Sequence, residues 1–292
     1  MTAGLWLAIL AAFGFSLKAI FVKLAYAAAP VEPVTLLALR MAFSLPVFLW
    51  VGLHSSHGAA TLDRRDWALL VVLGLLGYYG ASIFDFLGLR YISAGLERLI
   101  LFTYPTLVIV IGVLFLGHAA GRREWAALAL CYLGIAVAFV HDLGVSTDKA
   151  AVWLGVGFVF ASSLSYALYL SGSATMIARL GSARFTALAM LVSTAATLAH
   201  FAATQPFATL RQPLPIYAYA LAMALLSTIV PVFAQSAAIR RIGSGRTALV
   251  GMLGPLLTIA CGWALLDEVV SVWQIAGAAL VLGGVALVGR RP

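Results

Sequence analysis

Long apolar runs, separated by short polar loops, recur along the whole chain. They cover residues 4–26, 33–54, 67–89, 94–117, 124–141, 151–172, 184–204, 215–239, 245–266 and 272–290. Each run is long enough to cross the roughly 30 Å hydrocarbon core of a bilayer as a helix. The pattern predicts an all-α membrane protein with ten transmembrane helices, and the short loops place successive helices antiparallel.

An internal repeat relates the two halves of the chain. The stretch "LRYISAGLERLILFTYPTL" at 89–107 aligns without gaps with "IRRIGSGRTALVGMLGPLL" at 239–257, an offset of 150 residues. A weaker match near the start of each half has an offset of 147. We therefore predict two five-helix repeats, residues 1–147 and 148–292. Because five is odd, the second repeat is inverted in the membrane, as in many secondary transporters with two gates around a central site.

Composition and charge agree with a membrane protein. Hydrophobic residues make up 63% of the chain, charged residues make up 10%, and the mean hydropathy is +1.06. The net charge of +8 comes from basic pairs scattered among loops, which argues against nucleic-acid binding. With the N-terminus in the cytoplasm, predicted inner loops and the C-terminal tail hold eleven Lys and Arg, and outer loops hold four.

This distribution places both termini in the cytoplasm by the positive-inside rule. We expect a multi-pass protein of the bacterial inner (plasma) membrane, embedded in the lipid bilayer as a monomer or homodimer. No metal or other cofactor is expected, since Cys131 and Cys261 each lie within an apolar run.

The paired helix with its central proline and the acidic turn in "LLDEVVSVWQIAGAALVLGGV" at 265–285 resemble the drug/metabolite transporter superfamily, in its ten-helix EamA type. The resemblance covers essentially the whole chain. The first repeat departs from it, because His118 stands where the second repeat has Glu268. The resemblance implies an exporter of amino acids, other metabolites or drugs, and one branch, the YddG-like aromatic amino-acid exporters, has this length.

Lys18 is the most informative intramembrane charge in the sequence. A charge near the bilayer centre costs about 2.5 to 3.5 kcal/mol, so such a residue is a functional candidate. Lys18 lies only about 4 to 5 Å beyond the midpoint of its predicted span, whereas Lys23 and Arg40 are near outer helix ends and are expected to extend to the headgroups. The repeat places Ser165 at the position equivalent to Lys18, so the architecture itself does not require a cation there.

Polar side chains form stripes on other predicted helices. One face of the sixth span carries five hydroxyl groups, those of Ser162, Ser165, Tyr166, Tyr169 and Ser173. The third span carries Tyr78, Tyr79, Ser82 and Asp85, and its repeat partner carries Thr228 and Gln235. Such stripes face protein or water rather than lipid, so they outline a polar cavity among the first, third, sixth and eighth helices. For each single residue, hydrogen bonding between helices is the alternative.

The sign of the internal charge favours a substrate with a carboxylate, because three cations accompany Asp85 as the one clearly internal acid. We expect an exporter of small metabolites, above all amino acids, including aromatic ones, that works by alternating access. The predicted substrate-binding residues are Lys18, Tyr78, Tyr79, Ser82, Ser165, Tyr166, Tyr169 and Gln235. Asp85 is expected to couple protons or to form a gate with Arg90, and Pro105 and Pro255 are candidate hinges.

Other functions remain open at this point. An exporter of lipophilic drugs or cations is disfavoured because the first helix has Lys18 rather than a membrane-embedded Glu. An intramembrane enzyme is a second alternative, although the sequence has no Gly-x-Ser-x-Gly motif. An accessory membrane subunit is a third. Direct use of ATP is not expected, because the chain has no Walker-type phosphate loop.

Overall fold

The computed structural model describes residues 3–59, 61–115, 121–145, 148–242, 250–251 and 253–289, and these residues form helices and loops without any strand. The helices are α1 (Ala3–Ala28), α2 (Pro33–Ser56), α3 (Arg64–Gly88), α4 (Ala94–Leu101), α5 (Tyr104–Phe115), α6 (Arg122–Val145), α7 (Lys149–Leu180), α8 (Ser182–Thr204), α9 (214–242), α10 (Gly254–Leu266) and α11 (Val272–Gly289).

The long apolar helices make the chain a multi-pass membrane protein. Within the described residues, seven helical segments are long and apolar enough to cross a bilayer. Three shorter apolar helices, Trp125–Val140, Gly254–Leu266 and Val272–Gly284, occupy the places of the predicted fifth, ninth and tenth spans. The fold class is therefore confirmed as all-α, and the total of ten spans stays a prediction. Residues 243–249, at the predicted start of the ninth span, lie outside the described residues.

Two helices contain a π-helical turn at matching places. In α3 this turn is Leu75–Gly80, and in α9 it is Leu225–Ile229. Such turns are frequent at functional sites because they widen the helix locally and change its hydrogen bonding. In α3, the Ser165 hydroxyl donates to the Leu76 carbonyl at 2.7 Å, so α7 supports this turn from the side. The two turns begin 150 residues apart, at the offset of the sequence repeat.

Pro105 and Pro255 lie in the first turn of a helix rather than within one. The fourth predicted span is broken, because α4 ends at Leu101 and α5 begins at Tyr104, and α10 begins at Gly254. Proline is tolerated at such positions, since amides in the first turn have no intrahelical acceptor. Each proline therefore lies at the start of a helix and does not kink the middle of one. The hinge role of both prolines stays a prediction.

Serines from the opposite half of the chain pack against both of these helix starts. The hydroxyl groups of Thr103, between α4 and α5, and Ser163, on α7, are 2.8 Å apart. The Ser16 hydroxyl of α1 donates to the Gly254 carbonyl at 3.1 Å. Ser16 and Ser163 are 147 residues apart, which is the second offset of the repeat.

Small residues bring the backbones of α6 and α11 into contact. A Cβ added at Gly277 would lie 2.5 Å from the Gly134 carbonyl oxygen, and one at Gly284 would lie 2.7 Å from that of Ala127. Small residues permit this close approach, which drives helix association in lipid. In the repeat, position 127 is equivalent to 277 and position 134 to 284, because each pair is 150 residues apart. The two contacts therefore join the same two equivalent positions, with the two helices interchanged. A two-fold axis between the halves would produce such a pair of contacts.

The variant Gly277→Ala is expected to destabilise the protein by about 1 to 3 kcal/mol, because its Cβ would overlap the α6 backbone. The effect is measured as a lower melting temperature of the purified protein in detergent. Gly283→Ala is the matched control, since a Cβ at Gly283 meets nothing within 4 Å. Equal melting temperatures for the two variants would contradict tight packing of α6 against α11.

Candidate functional site

Lys18 of α1 lies between two buried carboxylates. Its Nζ is 2.9 Å from Asp85 Oδ2 on α3 and 3.8 Å from Glu97 Oε1 on α4. The Lys18 side chain is 18% exposed, whereas the side chains of Asp85 and Glu97 are 1% and 0% exposed. The carboxyl groups of Asp85 and Glu97 also contact each other. We call these three residues the Lys18 cluster.

The turn between α3 and α4 brings the two acids together. Asp85 lies in the last turns of α3, and the Ser93 hydroxyl caps α4 by accepting a hydrogen bond from the Leu96 amide at 3.1 Å. Glu97 falls in the first turn of α4. A negative charge is favourable there because it faces the positive end of the helix dipole. The acids therefore approach each other from consecutive helices.

Two buried arginines accompany the cluster. Arg40 of α2 is 4% exposed, its Nη2 donates to Ser82 Oγ at 2.9 Å, and its guanidinium carbon lies 5.2 Å from the centroid of the Phe86 ring. The prediction that Arg40 extends to the headgroups is therefore wrong, because protein covers it. Arg98, next to Glu97, is also buried, and its guanidinium carbon lies 5.2 Å from the Phe102 ring centroid. These rings offer cation–π contacts to both arginines.

Glu97 and Arg98 are the residues that sequence reasoning missed. Both lie near the predicted outer end of the fourth span, where charged side chains ordinarily face water. The interpretation of Asp85 as the one internal acid is wrong, since Glu97 is fully buried. The repeat contains a signal for Glu97 and Arg98. Their equivalent positions, 247 and 248, hold uncharged Thr and Ala, so the repeated helix does not itself require charges there.

Three of the predicted tyrosines do come together. The hydroxyl oxygens of Tyr78 on α3 and Tyr169 on α7 are 3.1 Å apart, and the rings of Tyr166 and Tyr169 stack at 5.6 Å between centroids. Tyr104 of α5 completes the group, with its centroid 5.1 Å from that of Tyr166. These rings fill the space among α3, α5 and α7 by contacting one another.

Hydroxyl groups of other predicted site residues are engaged in helix contacts. Ser165 donates to the α3 backbone, and Ser82 accepts from Arg40. The Tyr79 hydroxyl oxygen lies 2.8 Å from His200 Nδ1 on α8, so it links α3 to α8. In this conformation these groups hold helices together, which is the alternative that the sequence left open for single residues.

Arg90 and Gln235 lie apart from the Lys18 cluster. Arg90 Nη1 is 3.2 Å from Glu32 Oε2, in an exposed ion pair, while Asp85 pairs with Lys18. The predicted gate between Asp85 and Arg90 is therefore not formed in this conformation. Gln235 is exposed on the surface of α9.

A cavity of about 300 Å³ lies among α2, α8 and α9. It is lined by Phe48, Val51, Ser182, Ala183, Thr186, Ala187, Val232, Phe233 and Ala237. None of the predicted substrate-binding residues belongs to this lining. Its walls are mostly apolar, with the hydroxyl groups of Ser182 and Thr186 as polar contacts.

Polar contacts join the two halves of the chain at both ends of the helices. On the predicted inner side, Arg179 of α7 pairs with Asp63 and Asp66 at the start of α3. The Asp66 amide, by donating to the Asp63 carboxylate, and the nearby Arg179 lower the pKa of Asp63. On the predicted outer side, Glu268 accepts a hydrogen bond from the Ala94 amide at 3.0 Å. Polar contacts between residues 63–94 and residues 179–268 thus lie at both ends of the bundle.

Comparisons with known proteins identify the family. Residues 2–140 and 153–290 match the model of the EamA-like transporter family. The uncharacterized transporter YcbK of Bacillus subtilis is 28% identical over 273 residues, which are 90% of this chain and 85% of YcbK. The uncharacterized transporter YcxC of the same organism is 27% identical over 289 residues, 95% of this chain and 90% of YcxC.

One solved crystal structure supports the fold alone, because its sequence identity to this chain is only 17%. It aligns with 98% of this chain and 96% of its own chain, with a TM-score of 0.67. The family model, in contrast, covers most of the sequence. The chain therefore belongs to the EamA-like transporter family.

Proposed function

We propose that this membrane transporter is a secondary exporter of small metabolites, above all amino acids, and that it works by alternating access. The observation that carries the proposal is the Lys18 cluster, in which one ammonium and two carboxylate groups lie within 4 Å where α1, α3 and α4 meet. Charges at this depth mark substrate or ion pathways in membrane proteins. An amino acid carries groups that complement both signs.

The roles of individual residues follow from this proposal. Lys18 attracts the substrate carboxylate, and Asp85 couples transport to protons. The tyrosine and serine groups of α3 and α7, together with Gln235 of α9, contact substrate once the helices separate. Because many of these groups are engaged in helix contacts here, the structure corresponds to a closed conformation in the proposed cycle.

Alternating access requires two halves that can move against each other. Three observations support two inverted repeats: the π-helical turns that begin 150 residues apart, the exchanged contacts of α6 and α11, and the two separate matches to the family model. The loop charges support a bacterial inner-membrane location with both termini in the cytoplasm.

A second candidate, export of lipophilic cations, is supported by the two buried carboxylates of Asp85 and Glu97. A membrane-embedded acid pair suits a cation, and Glu97 adds a second buried acid to Asp85. Lys18 still opposes it, because a cation that displaces Lys18 leaves the Lys18 ammonium without a counter-ion. Amino acids therefore remain our first choice.

Purified protein in proteoliposomes distinguishes the candidates. We expect efflux or counterflow of at least one radiolabelled amino acid, well above that of vesicles carrying the triple variant Lys18→Met/Asp85→Asn/Glu97→Gln. Tetraphenylphosphonium tests the second candidate in the same vesicles. Robust flux of this cation with none of any amino acid would sink the amino-acid proposal. Flux of neither would favour an accessory subunit.

A further inference from the structure

We infer that Asp85 and Glu97 form a binding site for a substrate ammonium group and that the Lys18 ammonium is a tethered cation occupying this site when substrate is absent. The inference rests on the proposed function, because it specifies how an amino acid enters the Lys18 cluster. It also changes the proposed role of Lys18, which binds the substrate carboxylate only after it leaves the two acids.

The first observation is the order in which a solute can reach the three groups. Lys18 keeps 18% of its side-chain surface uncovered, while Asp85 and Glu97 keep 1% and 0%. The acids are covered more completely than Lys18, so a ligand reaches them only after the Lys18 side chain moves. Movement of Lys18 away from the acids is therefore the first step, and pairing of Lys18 with the substrate carboxylate follows it.

The second observation is that Lys18 does not reach both acids at hydrogen-bonding distance. Its Nζ lies at hydrogen-bonding distance from Asp85 but 3.8 Å from Glu97. An ammonium group has three donors, and in Lys18 their placement is limited by the α1 backbone. A free ammonium group has no such tether and can approach both acids.

The need for every charge in the cluster to keep a partner then indicates which class of ligand it binds. An anion that binds Lys18 draws the ammonium away from both acids, which then keep only the more distant charges of Arg40 and Arg98. A cation that binds the acids leaves Lys18 without a counter-ion. A zwitterion satisfies every group, because its carboxylate pairs with Lys18 while its ammonium group pairs with Asp85 and Glu97. Buried charges without partners are strongly unfavourable, so the cluster favours a zwitterionic amino acid over either half of it.

The internal repeat provides an independent argument. The positions equivalent to Lys18, Asp85 and Glu97 hold Ser165, Gln235 and Thr247, all of which are uncharged. A helix bundle of this type can therefore be built without charges at these places. The three charges are found together in one half, as expected if they serve one ligand rather than the architecture.

Removal of the tethered cation provides the test. In purified Lys18→Met protein, we expect benzylamine, as benzylammonium, to bind with a Kd at least about tenfold lower than in the wild type, because a tethered group competes at an effective concentration in the millimolar range. Binding is measured by titration calorimetry in detergent. Lys18→Arg is the matched control, since it keeps a tethered cation and should bind benzylamine as weakly as the wild type.

Two further variants keep the test decisive. Lys18→Met/Glu97→Gln has one buried acid fewer, so it provides folded protein if the single variant is unstable, and it should still bind benzylamine more tightly than the wild type. Lys18→Met/Asp85→Asn/Glu97→Gln should lose the gain. The inference is overturned if neither Lys18→Met protein binds benzylamine more tightly than the wild type, or if the triple variant keeps the gain.

Failure of the proposed function gives a different result. The binding assay requires no transport, so gained benzylamine binding in a protein that moves no amino acid would contradict the proposed substrate and leave the tethered-cation role intact. Amino-acid flux by the wild type without any gain in Lys18→Met would contradict the tethered-cation role alone.

Discussion

The double variant Asp85→Asn/Glu97→Gln is expected to abolish transport and to lower the free energy of unfolding by about 3 to 5 kcal/mol. Both carboxylates lie within 4 Å of Lys18 Nζ, so their removal leaves an ammonium group in a largely covered position without a counter-ion. Stability is measured by denaturant titration in detergent, and transport by flux into proteoliposomes.

The addition of Lys18→Met separates the structural from the functional effect. The triple variant also removes the unpaired Lys18 ammonium, while Arg40 and Arg98 stay buried near the lost acids. We therefore expect it to recover part of the lost stability but none of the transport. This form of cycle isolates the coupling among contacting residues. Stability of the double variant equal to that of the wild type, or normal transport by the triple variant, would contradict the role assigned to the cluster.

Glu268→Gln is expected to loosen the contact between the halves on the predicted outer side. The Glu268 carboxylate accepts from the Ala94 amide at the start of α4 and also covers Gly262 of α10. A negative charge at a helix N-terminus contributes roughly 1 kcal/mol. Loss of this charge should make Cys261, beside Gly262, react about fivefold faster with a membrane-impermeant maleimide. The labelling rate is measured in a Cys131→Ala background, so that Cys261 is the cysteine labelled.

Asp267→Asn is the matched control for this variant. Asp267 neighbours Glu268 and carries the same charge, but it is exposed, and its φ of 53° suits Asn as well as Asp. We expect the labelling rate of Cys261 to remain unchanged in Asp267→Asn. Equal acceleration in both variants would assign the effect to surface charge, and no acceleration in Glu268→Gln would exclude this contact as a closure.

The membrane fold could be predicted from the sequence because bilayers impose a simple rule. Apolar runs of sufficient length must satisfy their backbone hydrogen bonds internally, and a helix does so without help from other segments. The π-helical turns of α3 and α9 were not predictable in this way. They are local departures from the helix, and in α3 a serine from a distant helix donates to the backbone of the turn.

The candidate site could be predicted only in part. Lys18 and Asp85 were identified because each lies inside an apolar run, where a charge is costly. Glu97 was not, because it lies near a predicted helix end, where charged side chains ordinarily face water, and only its uncharged repeat partner Thr247 sets it apart. It is buried because the turn after α3 is short and folds α4 back against Lys18 and Asp85.

By itself, the sequence determined that this protein spans the membrane as helices and that Lys18 is an unusual charge, and it predicts two related halves. Only the tertiary structure decided which groups neutralise that charge. Lys18, Asp85 and Glu97 come from three different helices, and ion-pair distances of 2.9 and 3.8 Å depend on how those helices pack. Hydropathy follows from each segment alone, whereas the pairing of buried charges depends on contacts between segments that are far apart in the chain.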